Sequence, residues 1–151
     1  MDRNGPWNKE QKAWAALEGE LLDDIIPYVD SHYEVRAGPE NRALAGLSMG
    51  GGQSLNIGLK HPDVFSWVGG FSSAPNTRPV SELVTAPDKL KSIRLLWVSC
   101  GDQDQLLKIS QTFHEALLKQ KVPHTWKVDS GGHDWSVWKS DLYFLSQKLF
   151  R

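Results

Sequence analysis

ALAGLSMGGGQS, residues 43–54, is a short apolar run that breaks into a serine ringed by glycines. Gly46, Ser48 and Gly50 fit the pattern G-x-S-x-G. In that pattern a strand turns into a helix within about two residues, and the serine is held in a strained backbone conformation. Glycines on either side leave room where a side chain would collide. The spacing therefore predicts that Ser48 Oγ stands free at the C-terminal end of a strand. Beside it would lie a helix N-terminus, whose partial positive charge favours a developing anion. The amide of Met49, the residue after the serine, is the expected oxyanion donor.

Working outward, "RALAGL" before the serine reads as a short buried strand, and Gln53 to Lys60 reads as a helix stopped near Pro62. Further upstream Leu17, Leu21, Leu22, Ile25, Ile26, Val29 and Tyr33 recur at helical steps, with Glu18, Glu20, Asp23 and Asp24 mostly on the opposite face. Pro27 is expected to kink or shorten the last turn of that helix. Downstream, "FSWVGGF" reads as a second strand, followed by a loop to Ser92 with one or two short helical turns. "IRLLWVSCG" is the most strand-like segment, and Ile109, Phe113, Ala116 and Leu117 lie at helical spacing after it. "HTWKV" reads as a fourth strand and "DSGGHDW" as a loop, and Leu142, Leu145 and Leu149 mark a terminal helix. Strands alternating with helices predict an α/β fold, with a mostly parallel sheet covered on both faces. Residues 1–151 read as one such domain, without repeat or linker.

Composition sets the outer limits. Of 151 residues, 40% are hydrophobic and 23% charged, which suits one globular domain. The formal net charge is −1, and no block of five or six basic residues occurs, so nothing points to nucleic acid or an anionic membrane surface. No apolar run approaches the ~20 residues that span a bilayer. The opening "MDRNGPWNKEQ" carries no apolar signal-peptide core, and the compartment stays open. The single cysteine, Cys100, excludes an intramolecular disulfide and reads as a buried, inert thiol.

A serine hydroxyl needs a base to become a nucleophile, and the base needs a carboxylate to orient it. In the strand–turn–helix architecture these follow in the order Ser, Asp or Glu, His. Of the five histidines, His32 and His61 fall at helix ends, and His114 falls within a helix, as a solvated position. His124 precedes a strand and belongs to the wrong end of the sheet. His133 alone follows a strand, after Gly131 and Gly132, and is the expected base. The acid belongs after the third strand, where Gly101 offers a turn and Asp102 and Asp104 both follow. Spacing favours Asp104 only slightly. The "DQDQ" run lacks the glycine and glutamate of a calcium loop. Trp135 and Trp138 stand at three-residue spacing just past the base, as an aromatic pocket wall or as core. Ser72 to Asn76 leaves the second strand beside the elbow and could form another wall.

Taken together, "ELLDDIIPYVDSHYEV", "NRALAGLSMGGGQSLNIGLKHPDVF", "SSAPNT", "WVSCGDQDQLL" and "GGHDWSVWKSDLYFL" resemble the feruloyl esterase domains attached to bacterial xylanases. These are esterase-D-like carbohydrate esterases of the α/β-hydrolase fold. The likeness runs from about Glu18 to the C-terminus. It implies hydrolysis of feruloyl or acetyl esters on xylan through Ser48, His133 and Asp104. It implies no metal or organic cofactor, and an ester-bearing small molecule or polysaccharide as partner. Acyl transfer on the same fold, or a catalytically silent binding module, are the rival readings. Family domains are often secreted, and carry earlier strands and a glycine-rich loop that supplies a second oxyanion amide. No such loop precedes Ser48, so the chain resembles the C-terminal half of the domain. The strand before Ser48 is then expected to present an open edge, and the chain to self-associate or to gain stability from an N-terminal half.

Overall fold

The computed structural model describes Trp14 and residues 16–151, so the polar opening Met1 to Gln11 lies outside the described residues. The chain divides into two compact units, Met1–Ala37 and Gly38–Arg151.

In the first unit, residues 16–19 lead into a π-helical turn, Glu20–Ile25, and then α1, Ile26–His32. Pro27 does not shorten the last turn. It occupies the second position of α1, and the helix runs on to His32. A proline ring collides with the carbonyl four residues back. Here the preceding turn is widened, and the Ile26 amide reaches back five residues to Leu21 O. None of the residues in these two segments is buried.

The second unit is built on four parallel strands: β1 (Ala43–Leu47), β2 (Trp67–Phe71), β3 (Leu95–Gly101) and β4 (Thr125–Asp129). Their order in the sheet is β1-β2-β3-β4. The connections carry α2 (Met49–Lys60), α3 (Val80–Leu83) with a 3-10 segment at Pro87–Ser92, and α4 (Leu107–Lys119). The chain closes with α5 (Trp135–Ser146). Right-handed crossovers that add strands in one direction collect their helices on one face of the sheet. The last helix is left to cover the other. Successive residues of β2 report both faces. A Cβ at Gly69 would meet Leu145 of α5, whereas one at Gly70 would meet Leu55 of α2. Phe71, Trp97 and Leu145 form the core on the α5 side, with Leu47, Leu95, Trp138 and Leu149 packed against it. Leu55, Leu59, Val68 and Val98 are buried as well.

Three expectations change. β1 is not a buried strand: Ala43 and Ala45 are exposed, because β1 lies at the edge and pairs only with β2 among the described strands. α2 begins at Met49, four residues before the expected start, so the glycines lie inside its first turn. The terminal helix turns Val137, Asp141 and Leu145 inward, whereas Leu142 is exposed. A charged residue in the inward stripe hides the periodicity.

Candidate active site

Ser48 sits between β1 and α2 with φ 54° and ψ −119°, a left-handed setting that a non-glycine residue adopts only where its surroundings enforce it. They do so here through the neighbouring strand. The Ser48 amide donates to Phe71 O at 2.8 Å, and Ser48 O accepts from the Ala74 amide at 3.0 Å. The glycines have separate causes. A Cβ at Gly46 would lie 2.5 Å from the Gly50 carbonyl group, and one at Gly51 would lie 2.9 Å from Phe71 O and Ser73 Oγ. Gly50 differs: a Cβ there would have nothing within 4 Å, so its own side-chain space is open.

The acid lies beyond β3. Gly101 is the last residue of that strand rather than a turn, and a Cβ on it would run into the backbone of Gly131. Close approach of the two loops, not backbone freedom, explains this glycine. Asp104 Oδ1 accepts from the Leu106 amide at 2.8 Å, and Oδ2 accepts from His133 Nδ1 at 2.8 Å. The carboxyl is fully buried, which alone would raise its pKa. Hydrogen bonds from the Leu106 amide, the Ser72 hydroxyl and His133, together with the charge of His133, outweigh burial and hold it below the usual carboxylate range.

His133 follows β4 and comes back over the sheet, its Nε2 3.0 Å from Ser48 Oγ. Since the Asp104 carboxylate can only accept, Nδ1 carries the proton and Nε2 is left to accept from the serine. Asp102 plays a separate part. Its Oδ1 accepts from the Gly131 amide at 2.8 Å, and the Gln103 amide donates to Gly131 O at 2.8 Å. The acid loop and the histidine loop are thus laced together. Gly131 has φ 138°, a conformation open to glycine and few others.

Met49 opens α2, so its amide points out of the helix end without an intrahelical acceptor. Asn76 Nδ2 donates to Met49 O at 2.9 Å and fixes that first turn. The two tryptophans pack edge-on against each other, with ring centres 5.6 Å apart, but differ in exposure. Trp135 is 68% exposed, while Trp138 packs edge-on against His133, with ring centres 4.9 Å apart, and also joins the core. Its Nε1 donates to Ser72 Oγ at 3.0 Å. Ser72, Ser73 and Ala74 are buried under the site, and Pro75 lines a cavity of about 760 Å³ that reaches along Ile109 and Phe113.

His114 is not a solvated position: it stacks on Trp126 at 4.9 Å, and its Nδ1 lies 2.7 Å from His124 Nε2. Period alone placed it on a helix, but the neighbouring strand supplies its partners. Cys100 is fully buried, and burial pushes its thiol up to about 11. What the sequence did not disclose is the supporting set of bonds, from the Trp138 indole N–H to Ser72 Oγ and from the Gly131 amide to Asp102 Oδ1. The only signal was their position, directly after a strand or directly past the base.

The family model for esterases matches residues 1–148. An endo-1,4-beta-xylanase/feruloyl esterase of Xylanibacter ruminicola is 31% identical over 136 residues, 89% of this chain and 18% of that protein. A ferulic acid esterase from the anaerobic fungus Anaeromyces mucronatus, 32% identical, superposes with a TM-score of 0.76 over 88% of this chain and 53% of that one. An acetyl esterase of Caldicellulosiruptor saccharolyticus is 24% identical, over 80% of this chain and 59% of its own length. The chain thus spans less than two thirds of the length of each of these relatives. The parallel sheet with helices on both faces is that of the α/β-hydrolase esterases. With nearly its whole length matched, the chain belongs to the Esterase family.

Proposed function

We propose that the chain carries the site of a serine carboxylic-ester hydrolase acting on feruloyl or acetyl esters of plant cell-wall xylan. The observation that carries this reading is the unbroken line from Ser48 Oγ to His133 Nε2 at 3.0 Å and from His133 Nδ1 to Asp104 Oδ2 at 2.8 Å. Ser48 Oγ attacks the ester carbonyl carbon while its proton passes to His133 Nε2. Asp104, buried and charged, stabilises the imidazolium so formed. The tetrahedral oxyanion develops beside the start of α2, where the Met49 N–H and the helix end favour negative charge. Collapse breaks the bond to the leaving alcohol, which takes the proton back from His133. Water, deprotonated by the same imidazole, then attacks the acyl-serine and releases the acid. The acyl preference is supported by the names of the relatives and by the exposed Trp135 near the base.

The test is turnover on a panel of feruloyl, acetyl and short-chain nitrophenyl esters. Hydrolysis of the feruloyl or acetyl esters, with release of the free acid, is the expected outcome. Hydrolysis of the nitrophenyl esters alone would leave an esterase but remove the cell-wall substrate. No turnover on any of them would remove the hydrolase reading.

A further inference from the structure

An oxyanion donor is useful only while its N–H keeps one direction. The Met49 N–H shares a planar peptide unit with the Ser48 carbonyl, so whatever holds Ser48 O also aims the N–H the opposite way. Ser48 O accepts from the Gly52 amide at 3.2 Å and from the Ala74 amide at 3.0 Å. That unit needs holding, because Ser48 is strained at φ 54° and ψ −119°. Rotating its ψ towards the left-handed helical well would relieve the serine and turn the Met49 N–H with it.

The peptide unit on the other side of Met49 is held as well. Asn76 Nδ2 donates to Met49 O at 2.9 Å. A carbonyl oxygen only accepts, so the nitrogen of the Asn76 amide, not its oxygen, faces it. The loop that carries Ala74 and Asn76 is braced in turn. Asn56, within α2, donates from Nδ2 to Asn76 O at 2.9 Å, and its Oδ1 accepts from the Arg78 amide at 2.8 Å. Thr77 Oγ1 donates to Ala74 O at 2.7 Å. Gly52 makes room for this arrangement. A Cβ there would lie 2.5 Å from Asn76 Oδ1, so a bare first turn of α2 is what lets the Asn76 side chain lie against it.

We propose that Asn76 is a positioning residue for the oxyanion site, its side-chain amide pinning Met49 O so that the Met49 N–H keeps its direction at the start of α2. The inference rests on the proposed ester-hydrolase reading, with Ser48 as nucleophile and Met49 as donor. Asn76 acts through the backbone of Met49 and leaves the line from Ser48 to His133 and Asp104 untouched. Without its amide one side of Met49 can relax while Ala74 still holds the other. The donor is then displaced rather than lost.

The test uses Asn76→Ala, which removes the amide, and Gly52→Ala, which keeps the amide but crowds it off Met49. On the whole chain, the rate at which a fluorophosphonate labels Ser48 is measured across pH, alongside the melting temperature. Asn76→Ala should slow labelling by about tenfold to a hundredfold, short of the roughly 100- to 1,000-fold cost of losing an oxyanion donor outright. Gly52→Ala should slow it in the same direction. The pH of half-maximal labelling, which reports the base His133, should stay at its wild-type value in both. A merely structural asparagine would lower the melting temperature and leave the folded chain labelling within about twofold of wild type, which would overturn the positioning role and leave the triad reading standing. A slower rate with a displaced pH midpoint would put the effect on the base and overturn it too. If Asn76→Ala does not fold, Gly52→Ala decides by the same criteria. Absence of labelling at Ser48 in the wild type would overturn both readings.

Discussion

A carboxylate that must stay charged away from water needs donors, and Asp104 collects them from the loops after β3 and β4. Asp102, two residues earlier, is exposed and accepts from the Gly131 amide. The two aspartates should therefore separate sharply. Asp104→Asn replaces an acceptor facing His133 Nδ1 with an amide that can present a donor, and should reduce turnover by as much as roughly 10⁴-fold. Asp102→Asn keeps an acceptor for the Gly131 amide and should cost little. Ester hydrolysis rates of the two variants decide this, and the reverse ranking would move the acid to Asp102. That Asp104 and not Asp102 faces the base was barely legible in the sequence. Both follow Gly101, and only the close approach of Gly101 to Gly131 selects the one that reaches across.

At the scale of the element, the glycines of the elbow divide into those that are needed and one that is not. Gly51→Ala would force a Cβ to within 2.9 Å of Phe71 O and should destabilise the fold. Gly50→Ala meets open space and should be neutral or stabilise by up to about 1 kcal/mol, since alanine is the better helix former. Urea unfolding midpoints of the two variants check this, and equal losses would refute the distinction. The sheet edge carries the second expectation. β1 is apolar, uncharged and hydrogen-bonded on one side only among the described strands, the condition under which edges pair with each other. We expect the chain to self-associate, with light scattering giving a mass above that of one chain. Ala43→Lys should return it to a monomer. A monodisperse wild-type monomer would rule edge pairing out. The alternation of strands and helices was legible because each period runs over many residues. The edge was not, because a five-residue apolar run reads alike in the middle of a sheet and at its margin.

For the whole molecule, stability should carry the mark of one buried acid. Asp141 lies on the inward face of α5 with no exposed surface, 3.5 Å from Lys127, which also pairs with Asp129. Burial raises its carboxyl from 3.8 to about 6; Ser99 and Lys127 pull it down, and Asp129 adds to the rise. The folded chain thus binds this proton more tightly than the unfolded chain does. The stability it confers is full below pH 3.8 and falls as pH rises to about 6, a loss of about 3 kcal/mol. Asp104, Asp129 and Asp134 are shifted downward, so they act in the opposite sense and below that window. Melts from about pH 4 to pH 7 should therefore show a decline that Asp141→Asn flattens. A wild-type curve that rises across this range would contradict the assignment. Asp141 was illegible in the sequence because its partners, Ser99 and Lys127, come from two strands that only the fold brings against its helix. Ser48 and His133 were legible because each follows a strand end, where the architecture gathers them. Whether they act together is decided most directly by intact-mass analysis after fluorophosphonate treatment. The triad predicts one adduct, mapped to Ser48, that is lost in Ser48→Ala and much slower to form in His133→Ala. An adduct elsewhere, or one that forms as fast without the imidazole, would contradict it.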